Sequence, residues 1–322
     1  MTTQIAYLVA AHTDFDQLIR LCSRLVESGD VFVHIDKKVN QATYQRLLKR
    51  IGNYNLSGTN RIIFINNRIS VFWAGFSQVK LQRIFLKTAL ESQEKIYSRF
   101  IFLSGLCYPI KSPLHIFKEF DRNKAKEYVC GMNLTEYDKE AQKVRYAGYH
   151  LFRDINIRPI LLKKFLVAAS IRILWRMRIR KPYRIKHKGK NEDIYFGGSW
   201  IGLTRECAEY VYSNLNETSC YWRYFKTSYA CDELCIPTII FNSKYRSNAC
   251  LIDESQYKES ANLFAALSPL HQLQYKGLIK VYTEKDYDEL TKSDRMFVRK
   301  VVSGQSDRLV EMLDASFLKQ KI

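Results

Sequence analysis

The 322-residue chain is informative first through what it lacks. No Gly-x-Gly-x-x-Gly run and no Walker loop occurs, which removes the dinucleotide and P-loop readings. No stretch reaches the roughly 18 uncharged apolar residues needed to span a bilayer. Met1-Thr2-Thr3-Gln4 lacks a basic n-region, so the chain does not open as a signal peptide does. The six histidines (12, 34, 115, 150, 187 and 271) offer no paired metal-ligand spacing. Acids are scarce beside bases, 32 against 51, which leaves a net charge of +19. There is no internal repeat and no low-complexity linker.

What is present narrows the field further. The length suits one large α/β domain or two modest ones. Eight cysteines (22, 107, 130, 207, 220, 231, 235 and 250) are spread without framework spacing and read as reduced, largely buried thiols. Cys231 and Cys235 would share a helix face, but a zinc site needs two further ligands that the chain does not place nearby. The positive excess implies anionic company: nucleic acid, a membrane surface or a phosphate-bearing substrate. Much of it is local, in the Lys- and Arg-dense stretch from Arg145 to Lys190.

Apolar runs at Ile5–Ala11, Val31–Ile35, Ile62–Ile65 and Arg99–Gly105 predict buried strands. Helical patterns lie between them, at Leu18 to Leu25, Ala42 to Ile51 and up to about Ala89. This β-α-β order predicts an α/β fold with a parallel, doubly wound sheet and a ligand crevice outside the strand C-termini. Asp36 and the Ala10–His12 segment fall at such termini. Gly197 to Leu203 predicts another strand, opened by small residues. Within Arg158 to Lys190, Leu162, Leu166, Ala169, Ile173 and Met177 can form one apolar stripe, with Lys164, Arg172 and Arg176 outside it. That pattern fits a basic interfacial helix on an anionic membrane, or a core-packed helix with a solvated basic face. Aromatics are not interleaved with the basic run as base stacking requires, so nucleic acid is not expected.

The most informative stretch is Cys231-Asp232-Glu233-Leu234-Cys235-Ile236-Pro237-Thr238-Ile239-Ile240. Adjacent carboxylates repel and an apolar flank desolvates them; both effects raise a pKa and favour a general base. The competing reading is an acidic first turn at the positive end of a helix dipole.

Several segments, in chain order, resemble the β-1,6-N-acetylglucosaminyltransferase and peptide O-xylosyltransferase family, the core-2/I-branching enzymes and their bacterial relatives. They are Ile5 to His12 with Val33-His34-Ile35-Asp36, then Trp73-Ala74-Gly75-Phe76-Ser77-Gln78-Val79. Leu103-Ser104-Gly105-Leu106-Cys107-Tyr108-Pro109-Ile110-Lys111-Ser112 follows. Next come Gly198-Ser199-Trp200 with Leu203-Thr204-Arg205, Asp232-Glu233, and Ser293 to Lys300. Residues 134–192 show no family pattern.

The resemblance implies a single domain of GT-A type, with a central, mostly parallel sheet flanked by helices. Residues 1–125 would form the nucleotide half; 126–322 would form the acceptor and catalytic half, with a basic helical segment at 158–190. It implies inverting transfer from a UDP-sugar, of the N-acetylglucosamine or xylose class, to a glycan or lipid-linked glycan, with no cofactor and no metal. Two Asp-x-Asp strings occur: Asp14-Phe15-Asp16 reads as a loop and helix start, and Asp286-Tyr287-Asp288 sits in a charged helical stretch and reads as surface. Glu233 would be the base and Asp232 its neighbour. Ala10, His12, Asp36 and Trp73 would hold the nucleotide, and Lys276, Arg299 and Lys300 the diphosphate. Ser104, Gly105, Cys107, Ser199 and Trp200 would shape the sugar pocket. Cys107 stands where the family usually has an acid, and a thiol accepts hydrogen bonds from sugar hydroxyls poorly. The animal members carry an anchor, stem and disulfides that this sequence does not show, so a cytoplasmic, bacterial-type enzyme, peripheral on the membrane, is expected. The alternatives are a non-catalytic basic protein that docks through 158–190, and a metal-dependent or retaining transferase.

Overall fold

The computed structural model describes residues 3–52, 59–137, 139–253 and 263–319; the side chains of Phe264, Lys276 and Lys319 fall outside that description. The first strand, β1 (Ile5–Ala11), shows how the sequence builds the core. Its residues alternate between two apolar clusters: Ala6 and Leu8 enter one, while Ile5, Tyr7, Val9 and Ala11 enter the other. A strand covered on both faces reads as a continuous apolar run because neither face meets water.

Strand β1 pairs in parallel with β2 (Asp30–Ile35) on one side and β4 (Arg99–Ser104) on the other. Beyond β2 lies β3 (Ile62–Phe64), also parallel. The strand Gly202–Thr204 closes the sheet, antiparallel to β4. The expected mostly parallel α/β sheet is therefore present. From β1 the chain builds outward through β2 and β3, then returns to place β4 on the opposite side. That reversal opens a crevice at the strand C-termini, where Ala10, Asp36 and Ser104 lie.

Two smaller sheets complete the crevice. In one, Phe297–Arg299 pairs with β5 (Cys107–Pro109), so that Arg299 sits opposite Cys107. In the other, Tyr195–Gly197 pairs with β6 (Cys130–Asn133). Strands from beyond residue 125 thus finish the central sheet and the β5 sheet, both begun before it.

Two expectations are corrected. Gly197 to Leu203 is not one strand: strands end at Gly197 and resume at Gly202, and Ser199 and Trp200 occupy the loop between. The basic segment 158–190 is helical only at Ile160–Arg176, and a hairpin of Ile185–His187 with Lys190–Glu192 follows. That helix has no single apolar stripe. Val167 alone is buried, while Ile160, Leu161, Leu162, Phe165 and Ile173 are all exposed. No described helix is long and apolar enough to cross a membrane.

Because β4 and β5 take partners from 202–204 and 297–299, a fragment of residues 1–125 is expected not to fold. Its circular dichroism should show no cooperative thermal transition; a sharp one would mean the N-terminal half is autonomous.

Candidate active site

The loop entering the helix Ser77–Leu90 shows why its residue types occur in that order. Asp154 caps the helix, accepting from the amides of Phe76 and Ser77 at 2.8 and 3.0 Å and from Ser77 Oγ at 2.6 Å. Ser77 Oγ in turn accepts from the Phe72 amide at 2.8 Å. A Cβ at Gly75 would lie 2.3 Å from Asp154 Oδ1, so the cap requires glycine there. Gln78 then points its Nε2 at Asp232 Oδ2, 2.9 Å away. Trp73, 77 % exposed at the head of this loop, meets Tyr229 edge-on at 5.8 Å.

Asp232 and Glu233 lie in a 3-10 turn, Cys231–Glu233, directly before the buried helix Cys235–Phe241. The two carboxylates differ sharply. Asp232 is buried and its Oδ2 accepts from both Ser199 Oγ, at 2.7 Å, and Gln78. Glu233 is 23 % exposed and pairs with the guanidinium of Arg145. Burial pushes the Asp232 carboxyl above its ordinary range. Burial, and then the neighbouring Asp232, push Glu233 up to about 8, with Arg145 opposing. A reachable carboxyl tuned towards neutral pH beside a fully engaged one is the arrangement a general base needs.

A second group forms at the ends of β1, β2 and β4. The Asp36 carboxylate accepts from the Lys38 amide at 2.8 Å and the Val71 amide at 3.3 Å, which ties β2 to the Trp73 loop. Arg299 donates to Ser104 Oγ and lies 4.5 Å from the ring centre of Trp200. Among the described residues no carboxylate pairs with Arg299, and its Nε is buried without a partner. Burial lowers the pKa of Arg299; burial and then Arg299 lower that of Lys300. His12 stands at the same rim. Partial burial lowers its pKa, Asp36 opposes, and Lys38, Arg299 and Lys300 add to the lowering. Gly105 follows β4, where a Cβ would come within 2.9 Å of the Ala11 Cβ.

Ser199 and Trp200 join the two groups, one touching Asp232 and the other Arg299. Adjacent Cα atoms are about 3.8 Å apart, so the carboxylate and cationic ends share one crevice. Cys107 departs from its expected place. It is fully buried, with Sγ 3.4 Å from Ser104 Oγ and 3.2 Å from His271 Nε2, so it backs Ser104 rather than facing a sugar. Lys276 lies on the short strand Tyr275–Lys276, but its side chain is outside the described residues. Asp286 accepts from the amide of the N-cap residue Thr283 in a capping box and pairs with Lys280 at 2.5 Å. Sequence reasoning missed Gln78, Arg145, Asp154 and Tyr229. The first sits inside the quoted Trp73 motif; the next two fall within 134–192, where no pattern marks them.

Residues 5–291 match the Core-2/I-branching enzyme family. The chain belongs to that family. Its members are glycosyltransferases, in keeping with a crevice that joins a carboxylate to a cation, Arg299, with no carboxylate partner among the described residues. No individually curated protein matches. Among solved structures, the apo bifunctional glycosyltransferase WbbM is 10 % identical, with a TM-score of 0.39 over 98 % of this chain and 49 % of WbbM. The chain thus spans about half of that protein's length. The apo mouse xyloside xylosyltransferase 1 is 12 % identical, with a TM-score of 0.31 over 87 % of this chain and 96 % of that one. Membership rests on the family match; structural likeness at these scores adds nothing to it.

Ser199→Ala removes one of two side-chain donors from the buried Asp232 carboxylate. It is expected to cost about 1–3 kcal/mol of stability, with Ser199→Thr recovering part. Urea denaturation tests this, and an unchanged midpoint in the alanine variant would show that the bond contributes nothing.

Proposed function

We propose that this chain is an inverting glycosyltransferase that moves a sugar from a UDP-sugar to a hydroxyl of a glycan or lipid-linked glycan without a divalent metal. The observation that carries the reading is Arg299, a half-buried cation whose Nε is buried and which has no carboxylate partner among the described residues, held in the same crevice as the raised carboxyl of Glu233. A buried cation without a counter-ion is costly, and a diphosphate supplies one.

The chemistry divides between the two ends. The acceptor hydroxyl gives its proton to Glu233 as its oxygen attacks the anomeric carbon from the face opposite the nucleotide. One displacement inverts that carbon and releases UDP. Arg299 and Lys300 stabilise the negative charge that gathers on the departing diphosphate. At the nucleotide end, Ala10 offers its backbone and Asp36 its carboxylate to the uridine, with Trp73 as an aromatic wall. Ser104, Gly105, Ser199 and Trp200 line the space between. The donor is of the UDP-N-acetylglucosamine or UDP-xylose class, and Cys107 acts on its pocket only through Ser104.

Glu233→Gln removes the proton acceptor. Transfer is expected to fall by about 10²–10⁴-fold, the usual contribution of a general base, while UDP binding is kept and chelator leaves wild-type activity unchanged. Undiminished transfer by the variant sinks the assignment of the base; loss of activity in EDTA contradicts the metal-free route.

The pH dependence has a definite sign. Glu233 acts as a base only when deprotonated, so the rate rises with pH until it levels above about 8. Arg145 opposes the rise in that pKa, so Arg145→Gln moves the ascending limb to higher pH. A limb that stays in place or moves to lower pH in kcat/KM profiles shows that Arg145 does not tune the base.

Helix Ile160–Arg176 presents exposed Leu161, Leu162 and Phe165 beside Lys164, which fits an anionic bilayer surface near a lipid-linked acceptor. Flotation with phosphatidylglycerol vesicles should capture the protein in a salt-sensitive way, and Leu161→Ser/Phe165→Ser should release it. Equal capture by neutral vesicles counts against this placement.

A further inference from the structure

Beside Glu233 lies a cavity of about 340 Å³ lined by Ala141, Gln142, Val144, Arg145, His150, Arg153 and Tyr229. Four of these side chains carry a buried polar atom without a hydrogen-bond partner: Gln142 Oε1, Arg145 Nε, His150 Nδ1 and Arg153 Nε. Orphaned buried polar atoms are uncommon and each costs about 1–3 kcal/mol. Four around one cavity make its lining rich in hydrogen-bonding capacity that the protein itself does not use.

The donors and acceptors can be assigned. His150 Nε2 lies 2.9 Å from the Val144 carbonyl, which only accepts, so Nε2 carries the proton and Nδ1 is left as an acceptor. Gln142 Oε1 is a second acceptor. The two guanidinium Nε–H groups are donors. The cations are not equivalent. Arg145 is already engaged by Glu233, whereas Arg153 has no carboxylate partner among the described residues and lies 4.4 Å over the Tyr229 ring. The carboxylate next to it in sequence, Asp154, is committed to the amides of Phe76 and Ser77 and to Ser77 Oγ. Among the described residues no acidic side chain lines the cavity. Tyr229, with exposed Trp73 edge-on to it, supplies an apolar wall for a sugar ring.

From the four orphaned polar atoms and the unpaired Arg153, we infer that this cavity seats the acceptor as a sugar ring bearing an acidic group. Its oxyanion, a carboxylate or a phosphate, rests on Arg153, and its hydroxyls donate to Gln142 and His150. The inference rests on Glu233 being the base, since Arg145 joins the cavity to that carboxyl, and it makes Arg153 a specificity-determining residue.

The test uses the full chain saturated with UDP, so that the nucleotide end is filled, and measures binding calorimetrically. Glucuronic acid and glucose 6-phosphate are compared with glucose and with inorganic phosphate. At least one acidic sugar should bind more tightly than both glucose and bare phosphate, and the better of the two names the acid. Arg153→Gln should weaken that binding about tenfold or more while keeping UDP affinity, and Arg153→Lys should recover part. Equal binding of acidic and neutral sugars by the wild-type protein overturns the inference, as does an Arg153→Gln variant that retains full preference. If Arg153→Gln fails to bind UDP, the wild-type comparison still decides. Failure of the base assignment is seen separately: Glu233→Gln would then transfer normally whichever sugar binds.

Discussion

The buried carboxylate of Asp232 joins the functional segments of this protein. Its Oδ2 takes hydrogen bonds from Gln78 and Ser199, which are 154 and 33 residues away in sequence. Removing a carboxylate from water costs several kcal/mol unless such bonds offset it. The offset exists only when the helix Ser77–Leu90, the Ser199-Trp200 loop and the Cys231–Glu233 turn are together. One interaction therefore makes assembly of the crevice a condition of the fold. It also places a charge beside Glu233 and helps hold that carboxyl protonated to higher pH than an ordinary glutamate.

Backbone strain falls at the same place. Ala74 and Ala230 both have left-handed φ angles, 55° and 47°, and the Ala230 amide donates to the Ala74 carbonyl at 3.2 Å. An L-residue there costs of order 1–3 kcal/mol, so the packed surroundings must impose the conformation. The two alanines turn Trp73 outward and swing the chain from Tyr229 into the Asp232-Glu233 turn. The settings of Trp73 and Glu233 thus depend on one pair of strained residues in contact.

How much of this was legible in the sequence follows from the range of each interaction. The parallel strands were, because burial on both faces leaves uninterrupted apolar runs. The positions of Asp36, Ser104 and Glu233 were also legible, because strand ends and an acidic pair before an apolar run are local signals. Arg145 was not: its partner Glu233 is 88 residues away, and nothing in its own segment distinguishes it from the other cations there. The loop at Ser199 and Trp200 was misread because their neighbours look like strand. Instead, both side chains leave the sheet to reach Asp232 and Arg299. Cys107 was placed in the sugar pocket from its motif, and only three-dimensional packing against His271 shows that the thiol is sealed behind Ser104.

The charge of the chain takes on a different meaning once its cations are located. A net charge of +19, much of it between Arg145 and Lys190, implied anionic company, and part of it is a solvated basic surface along Ile160–Arg176. Two guanidiniums are different in kind. Arg299 lies against Trp200 and Arg153 over Tyr229, each partly withdrawn from water and neither with a carboxylate partner among the described residues. Both reduce the stability of the empty protein, because desolvation is not compensated there. On the proposed reading, an anion at either place would offset that loss, with each guanidinium already resting over a ring. On that reading the cost of withdrawing these two cations from water and the preference for charged ligands have a single origin, and the positions that stabilise the fold least are those where binding would do most.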